Sequence, residues 1–186
     1  MEFKKIEKIN EGKYITRYNI DYQTKSGKIK TYEMVSRNKN IQKFEDLHDL
    51  KTDAVVLIIH DANNEKILLN REFRMAPGEW VYNFPAGLID PGETEKEAAS
   101  RELWEETGLK LTKVEEIWKE SYSAVGFSNE KNIVLIGTAE GEFKPSTSEI
   151  EEIDAKWYSK NEIKELLKKE RFAARTQAYC SLWCRN

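Results

Sequence analysis

The sequence has little of several features that would assign it to a specialised class of protein. Only two of its 186 residues are cysteines, Cys180 and Cys184. A disulfide scaffold needs more cysteines, and a closed zinc site needs further ligands. We therefore interpret this pair as reduced, buried thiols. No apolar run reaches the roughly 20 residues that span a bilayer. Residues 1–14 also lack the apolar core of a signal peptide, so we expect a cytoplasmic protein with no membrane partner.

An excess of charge of one sign is also missing. The chain has 30 lysines and arginines against 33 aspartates and glutamates, which gives a net charge of −3. A balance this close to neutral argues against a nucleic-acid partner. The hydrophobic content of 39% is nevertheless sufficient for a packed core. The length suits one domain with a small appendage.

Apolar periodicity and turn residues predict strands, then one helix, then further strands and two helices. The β-branched run at residues 54–59 is typical of a strand that is buried on both faces. Thr94 and Gly108 are expected to cap the first helix, and Ser159 the second. This order predicts an α+β fold. The other predicted strands are 66–73, 79–84, 111–121, 132–139 and 155–158, and the last two helices are 160–169 and 175–183.

The N-terminal quarter of the chain differs from the rest. It alternates weakly in strand fashion around a hairpin turn at Ser26–Gly27, and it has too little apolar mass for an independent core. Residues 36–52 have no strong period and are interpreted as a connector. We therefore divide the chain into an antiparallel β appendage, residues 1–50, and a main domain, residues 51–186. The appendage should pack on the main domain or on a second subunit.

The helix after Thr94 carries a dense set of carboxylates. Glu102, Glu105 and Glu106 fall at i, i+3 and i+4 and therefore share one face about 100° wide. Without a cation these charges repel and raise one another's pKa, whereas a hard divalent cation would use them as oxygen ligands. A solvated acidic helix face accounts for the same pattern, so the helix alone leaves both interpretations open.

The segment around this helix matches a known motif. Residues 87–109 follow the pattern G-x5-E-x7-R-E-L-x-E-E-x-G-L and thereby resemble the Nudix hydrolase family. The resemblance implies a Nudix fold, an α/β/α sandwich around a mixed β-sheet. It also implies hydrolysis of a nucleoside diphosphate that is linked to another moiety. The nine matching positions are Gly87, Glu93, Arg101, Glu102, Leu103, Glu105, Glu106, Gly108 and Leu109.

The resemblance further implies a metal cofactor, Mg²⁺ or alternatively Mn²⁺. Its implied ligands are the carboxylates of Glu102 and Glu106 and the backbone carbonyl of Ala86. Glu105 is implied as a further ligand or as a base. The metal would neutralise charge on the phosphoryl oxygens and lower the pKa of a bound water.

Other implied roles concern the protons and the orientation of the site. In the resembling enzymes a loop glutamate before the last strand acts as the catalytic base, and Glu149 and Glu151 are the candidates here. A solvated acidic loop is the alternative for both. Arg101 and Glu93 are implied to orient the metal-binding carboxylates.

Two segments resemble the ADP-ribose pyrophosphatase branch of the family. The first, Arg71–Arg74, implies that Arg74 binds the substrate diphosphate, since a guanidinium matches phosphate oxygens in a fork. A surface ion pair is the alternative for Arg74. The second, Phe84–Asp90, contains the Pro-Ala-Gly that precedes the helix. Asn83 stands where that branch often has glutamate, which bears on contacts to the base or ribose.

A loop after the helix also resembles that branch. Gly126, Phe127 and Glu130 match its pattern S-P-G-[FY]-S-[DN]-E and are implied to contact the substrate. Val125 replaces the proline of that pattern.

The favoured hypothesis is Mg²⁺-dependent hydrolysis of ADP-ribose, or of a related nucleoside diphosphate sugar, to a nucleoside monophosphate and a sugar phosphate. The alternatives are another Nudix substrate, such as a GDP-sugar, a dinucleotide or an oxidised nucleotide, and a nucleotide-sensing domain that does not catalyse. The resemblance also implies a homodimer formed through the N-terminal strands.

Overall fold

A computed structural model describes residues 1–48 and 51–185 of the chain. The chain divides into two compact units. The first unit comprises Met1–Asp53 and Glu120–Asn132, and the second comprises Ala54–Lys119 and Ile133–Asn186. The segment Glu120–Asn132 therefore belongs with the N-terminal residues, which the sequence did not indicate.

The first unit is built on a three-stranded antiparallel sheet in the order β1-β2-β3. The turn between β2 and β3 lies at Ser26–Gly27 as predicted, and Gly27 has a φ of 82°. Tyr18 and Ile20 of β2 and Met34 of β3 form a small apolar cluster with Ile41. The strands of this unit are β1 (Glu2–Glu11), β2 (Thr16–Gln23), β3 (Ile29–Ser36) and the short β9 (Ser121–Tyr122).

The segment Glu120–Asn132 is attached to β3 by main-chain and charged contacts. The N–H of Val35 donates to the carbonyl of Phe127 at 2.8 Å. Arg37 donates from Nε to Glu130 at 2.6 Å. The predicted connector contains a short 3-10 helix, Phe44–His48, and two of its other residues, 49 and 50, lie outside the described residues.

The second unit contains the remaining strands and three α-helices, with the first two residues of β10 assigned to the first unit. Its strands are β4 (Ala54–His60), β5 (Lys66–Arg74), β6 (Glu79–Asn83), β7 (Ala86–Leu88), β8 (Lys110–Ile117), β10 (Lys131–Glu140) and β11 (Ile153–Ser159). Its helices are α1 (Glu95–Thr107), α2 (Lys160–Lys169) and α3 (Ala174–Trp183).

The central sheet has the order β11-β5-β4-β10-β8, with β6 beside β5 and β7 beside β4. Successive residues of β4 face opposite sides, as the period of a strand requires. Val55 and Leu57 pack with Leu103 of α1. Val56 packs in the other cluster, with Ile163 of α2 and with Cys180 of α3. The sheet therefore lies between α1 on one side and α2 and α3 on the other.

The predicted α/β/α sandwich with an N-terminal antiparallel sheet is confirmed. The predicted strands and helices are present with ends shifted by a few residues, except that the strand expected over residues 111–121 ends at Ile117. Strand β7 was not predicted, because its Pro-Ala-Gly sequence is typical of a turn. Cys180 and Cys184 are buried free thiols. None of the helices in the described part of the chain is long and apolar enough to cross a membrane.

Candidate active site

Helix α1 is the element that carries the candidate site, and both of its ends are fixed by the sequence. At its start, the Thr94 side chain accepts from the N–H of Glu97, and the Glu97 carboxylate accepts from the N–H of Thr94 at 2.8 Å. At its end, Gly108 has a φ of 76° and donates to the carbonyl of Trp104 at 2.8 Å. This left-handed conformation favours glycine and ends the helix there.

Gly87 provides the space for the first carboxylate of the site. A Cβ at position 87 would lie 1.9 Å from Cδ of Glu102, closer than any real contact. The backbone of strand β7 therefore approaches Glu102 at a distance that only glycine permits. The motif glycine thus has a steric role, and it fixes the Glu102 carboxylate between α1 and the sheet.

Arg101 organises one side of the site, which we call the Arg101 side and which also comprises Glu93, Glu102 and Glu105. Its guanidinium donates to both oxygens of Glu93 at 2.8 Å. It also donates to Glu102 at 2.7 Å and to Glu105 at 3.3 Å. The hydrogen bond from Arg101 lowers the pKa of Glu93 to about 2. One cation therefore contacts three carboxylates and holds them in place, although it cancels the charge of only one of them.

Glu106 organises the opposite side, the Glu106 side, together with Asn70, Glu72 and Asn83. Its carboxylate is buried and accepts from Nδ2 of Asn70 at 2.8 Å. The N–H of Ala86 is a second donor to it. Burial raises the pKa of Glu106 well above its usual range, and repulsion from Glu72 and Glu102 adds to the effect. Burial is thus a larger cause than the mutual repulsion of the helix carboxylates.

Two residues of the Glu106 side, Asn70 and Glu72, were missed from the sequence. They follow Leu68 at two-residue intervals on strand β5 and therefore share the face that packs against α1. We call Asn70, Glu72 and Arg74 the β5 polar row. A signal was present, because Asn70 and Glu72 continue, at alternate positions, the face of β5 that carries the apolar Leu68.

Glu72 is itself buried and hydrogen-bonded. Its Oε1 accepts from Nδ2 of Asn83 at 2.9 Å, and the Thr176 hydroxyl of α3 donates to the side-chain Oδ1 of Asn83 at 2.9 Å. Asn83, noted in the sequence as a departure from the branch pattern, thus serves as a donor to a carboxylate on the adjacent strand.

The donor set suits a hard divalent cation. Glu102 and Glu106 are largely buried carboxylates, and burial also raises the pKa of Glu102, partly offset by Arg101. A buried carboxylate without a cation is destabilising, and carboxylate oxygens are the ligands that Mg²⁺ prefers. Within residues 1–48 and 51–185, the acidic side chains are not gathered into a ready-made cage. Arg101 holds Glu102 and Glu105, so a cation would have to compete with it.

The remaining predicted residues lie in different places. Arg74 is more than half exposed, with its guanidinium 3.6 Å from Glu72. Glu149 and Glu151 are exposed in the segment before β11, and the charge of Glu151 acts on Glu102.

Three predicted substrate contacts belong to the first unit. The carbonyl of Gly126 accepts from the Tyr32 hydroxyl, Phe127 is 59% exposed, and Glu130 pairs with Arg37. Their role towards a substrate stays a prediction.

The protein is thus an α/β/α sandwich, and its capped acidic helix places a carboxylate-rich site beside one face of the sheet. A model of the NUDIX domain matches residues 50–179. The chain therefore belongs to the Nudix family, and the family predicted from the motif at residues 87–109 is confirmed.

The curated relatives carry several different names. The chain is 34% identical over 104 residues to an ADP-sugar pyrophosphatase of Mus musculus, which covers 56% of this chain and 46% of the mouse protein. It is 27% identical over 130 residues to the ADP compounds hydrolase NudE of Escherichia coli, covering 70% and 62% of the two chains. It is 31% identical over 125 residues to an NAD-capped RNA hydrolase of Homo sapiens, and the match covers 64% of this chain and 25% of the human protein. The chain thus spans between about a quarter and three fifths of these relatives' lengths.

A solved structure supports the fold across the whole chain. A crystal structure of an ADP compounds hydrolase matches with a TM-score of 0.72, covering 100% of this chain and 93% of that one. The identity is 20%, so this likeness bears on the fold alone.

Proposed function

We propose that the protein hydrolyses the diphosphate linkage of ADP-ribose, or of a related nucleoside diphosphate sugar, with Mg²⁺ as cofactor. The products would be a nucleoside monophosphate and a sugar phosphate. The observation that carries this proposal is the pair of largely buried carboxylates, Glu102 and Glu106, which lie beside Gly87 on the capped helix α1. The names of the mouse and E. coli relatives support an ADP-linked substrate.

The chain's own residues would divide the work as follows. Glu102, Glu106 and Glu105, with the carbonyl of Ala86, would hold Mg²⁺ or Mn²⁺. When bound, the metal would supply charge neutralisation and a water of lowered pKa. Arg74 would bind the diphosphate, because its guanidinium is exposed and beside the carboxylate face. A water oxygen would then attack one phosphorus atom and lose its proton to the base, while the bridging P–O bond breaks and the second phosphate group leaves with the bridging oxygen.

We assign the catalytic base to Glu151 rather than to Glu149. The charge of Glu151 acts on Glu102, and this proximity supports the assignment. Glu151→Gln should lower kcat by about 10²–10⁴-fold, the usual contribution of a general base. Glu149→Gln, in the same exposed segment, is the matched control and should retain kcat within about twofold, an effect small beside that of a general base. The reverse result would move the base to Glu149.

The proposal is tested by incubating the full chain and Mg²⁺ with a panel of ADP-ribose, a GDP-sugar, a dinucleotide and an oxidised nucleotide. ADP-ribose should have the highest kcat/KM, and chelation of the metal should abolish turnover. Glu106→Gln should reduce turnover by about 10²–10³-fold, the cost of losing one group that stabilises the transition state.

Two outcomes would contradict the proposal. Faster turnover of another panel compound would place the enzyme elsewhere in the family. Nucleotide binding without hydrolysis, equal in wild type and Glu106→Gln, would favour a sensing domain instead.

The homodimer predicted through residues 1–50 remains part of this proposal. Sedimentation at micromolar concentration should give a mass of twice the 21.8 kDa chain. A mass of one chain would contradict it.

A further inference from the structure

The Glu106 side contains two buried carboxylates whose negative charges are not neutralised by their hydrogen-bond donors. Glu72 and Glu106 are 7% and 8% exposed, and the charge of Glu72 acts directly on Glu106. Their hydrogen-bond donors are the neutral amides of Asn83 and Asn70 and the backbone N–H of Ala86. Neutral donors solvate a carboxylate but do not cancel its charge, so two buried like charges remain opposed.

Arg74 compensates Glu72 only weakly. The two side chains are 3.6 Å apart, and the Arg74 side chain is 58% exposed, so solvent screens the pair. Under the proposed function Arg74 also binds the substrate diphosphate, and that role would weaken the pair further.

Asn70 provides an independent indication of a ligand. It is 1% exposed, and its amide nitrogen is committed to Glu106 at 2.8 Å. Its Oδ1 is buried and has no hydrogen-bond partner in the described structure. Because both amide atoms are at the same end of the side chain, this oxygen lies close to the Glu106 carboxylate that the amide nitrogen contacts. A buried oxygen acceptor without a partner costs free energy unless a donor or a cation satisfies it.

We propose that Glu72 and the Oδ1 of Asn70 belong to the donor set for the divalent cation, so that strand β5 supplies ligands alongside helix α1. This inference rests on the proposed function, since it extends the site of the same metal. Two carboxylates and an amide oxygen are all hard ligands of the kind that Mg²⁺ and Mn²⁺ bind. Leu68, on the same face of β5, fixes the register that presents them to α1.

The test measures Mn²⁺ binding to the full chain without nucleotide, from the loss of the EPR signal of free Mn²⁺. Glu72→Gln keeps the size of the side chain and an acceptor for Asn83, so it removes only the charge. We expect it to weaken Mn²⁺ binding tenfold or more. Glu72→Asp, which keeps the charge but shortens the side chain, should weaken binding less. It also serves if Glu72→Gln fails to fold.

Two control variants separate this role from simpler ones. Glu79→Gln removes an exposed charge of the same hairpin, which pairs with Arg171 at 3.7 Å, and should bind Mn²⁺ like wild type. Arg74→Gln should bind Mn²⁺ at least as tightly as wild type, because it removes a competing cation.

Wild-type Mn²⁺ affinity in both Glu72 variants would overturn the inference. If Glu72→Gln and Arg74→Gln instead raised KM for ADP-ribose equally, with Mn²⁺ affinity unchanged, Glu72 would act only by positioning Arg74. The proposed function can fail without the inference. Mn²⁺ binding that depends on Glu72, together with no hydrolysis of any compound in the substrate panel, would overturn the function alone.

Discussion

The two sides of the carboxylate site are built by opposite means. On the Arg101 side, one guanidinium donates to Glu93, Glu102 and Glu105, and the pKa of Glu93 falls to about 2. On the Glu106 side, the donors to the buried carboxylates are amides, and the pKa of Glu106 rises. The first side therefore has a cation hydrogen-bonded among its carboxylates, whereas the hydrogen bonds to the carboxylates of the second side come from neutral groups.

This difference suggests where the site is rigid and where it is prepared for a cation. Compensated carboxylates are held at defined positions without a ligand, since the ion pairs supply their own stability. Uncompensated buried carboxylates carry a cost that a bound cation would relieve. The following variants test that distinction.

The largest effect is expected where the two sides meet, at Gly87. In Gly87→Ala the new Cβ would overlap the Glu102 carboxylate, so that carboxylate must move. We expect overpacking to cost about 1–3 kcal/mol of unfolding free energy, and turnover to fall about 10²-fold because a carboxylate that is proposed to bind the metal is misplaced. Urea unfolding and steady-state kinetics measure the two effects. Gly126→Ala, whose Cβ would meet nothing within 4 Å, is the control for stability alone. Equal stability of both variants would contradict the steric argument.

Arg101→Lys weakens the compensated side alone. An ammonium cannot form the forked contacts to three carboxylates, so we expect a loss of about 1–3 kcal/mol in unfolding free energy. Arg101 is predicted to orient the metal-binding carboxylates, so turnover should fall by about 10–100-fold, the usual cost of losing such a group. Arg17→Lys, which replaces an exposed guanidinium paired with Glu33, should change the unfolding free energy by less than about 1 kcal/mol. A similar loss in both variants would show that the Arg101 contacts are not special.

The two sides should also respond to pH with opposite sign in metal-free protein. Glu93 has a folded-state pKa lowered from 4.5 to about 2, so its stabilising contribution is present above pH 4.5 and is lost as the pH falls towards 2. Glu106 has a raised pKa, so its contribution is present at low pH and is lost as the pH rises through that raised value.

Thermal unfolding of Glu93→Gln and Glu106→Gln over a pH series checks both signs. The difference in thermal stability between wild type and Glu93→Gln should become smaller on acidification below pH 4.5. The thermal stability of Glu106→Gln should increase relative to that of the wild type as the pH rises. The same trend in both variants would remove the contrast between the two sides.

The smallest effect is expected from a change that treats both sides alike. Thr94→Ala removes the cap of α1, which carries Arg101 and Glu106 together, and should cost about 1 kcal/mol in unfolding free energy. Ser159→Ala removes the equivalent capping box of α2 and should cost about the same. Both variants should keep kcat near the wild-type value. A large loss of kcat in Thr94→Ala alone would mean that the cap also sets the geometry of the site.

The family, the fold and the course of α1 could be predicted because their determinants are local. The caps at Thr94 and Gly108 and the spacing of Glu102, Glu105 and Glu106 depend on neighbours along the chain. The continuous apolar run of β4 likewise predicted a strand that is buried on both faces, as it is.

The parts that were missed depend on residues far apart in the sequence. Asn70 meets Glu106 across 36 positions, and Asn83 meets Thr176 across 93. The attachment of Phe127 to Val35 brings Glu120–Asn132 into the first unit, although those residues follow α1 in the chain. No local pattern specifies such partners, because they are chosen by strand order and by packing.

Local patterns in the chain were therefore sufficient to predict an acidic, capped helix of the Nudix family. Spacing, capping and periodicity are properties of the chain that survive without tertiary contacts. The folded chain, in contrast, establishes which carboxylates are buried and which of them pair with Arg101. It also brings Glu72 and Asn70 of strand β5 to the same site. Burial and charge compensation are decided between elements, since the cost of a carboxylate depends on what surrounds it.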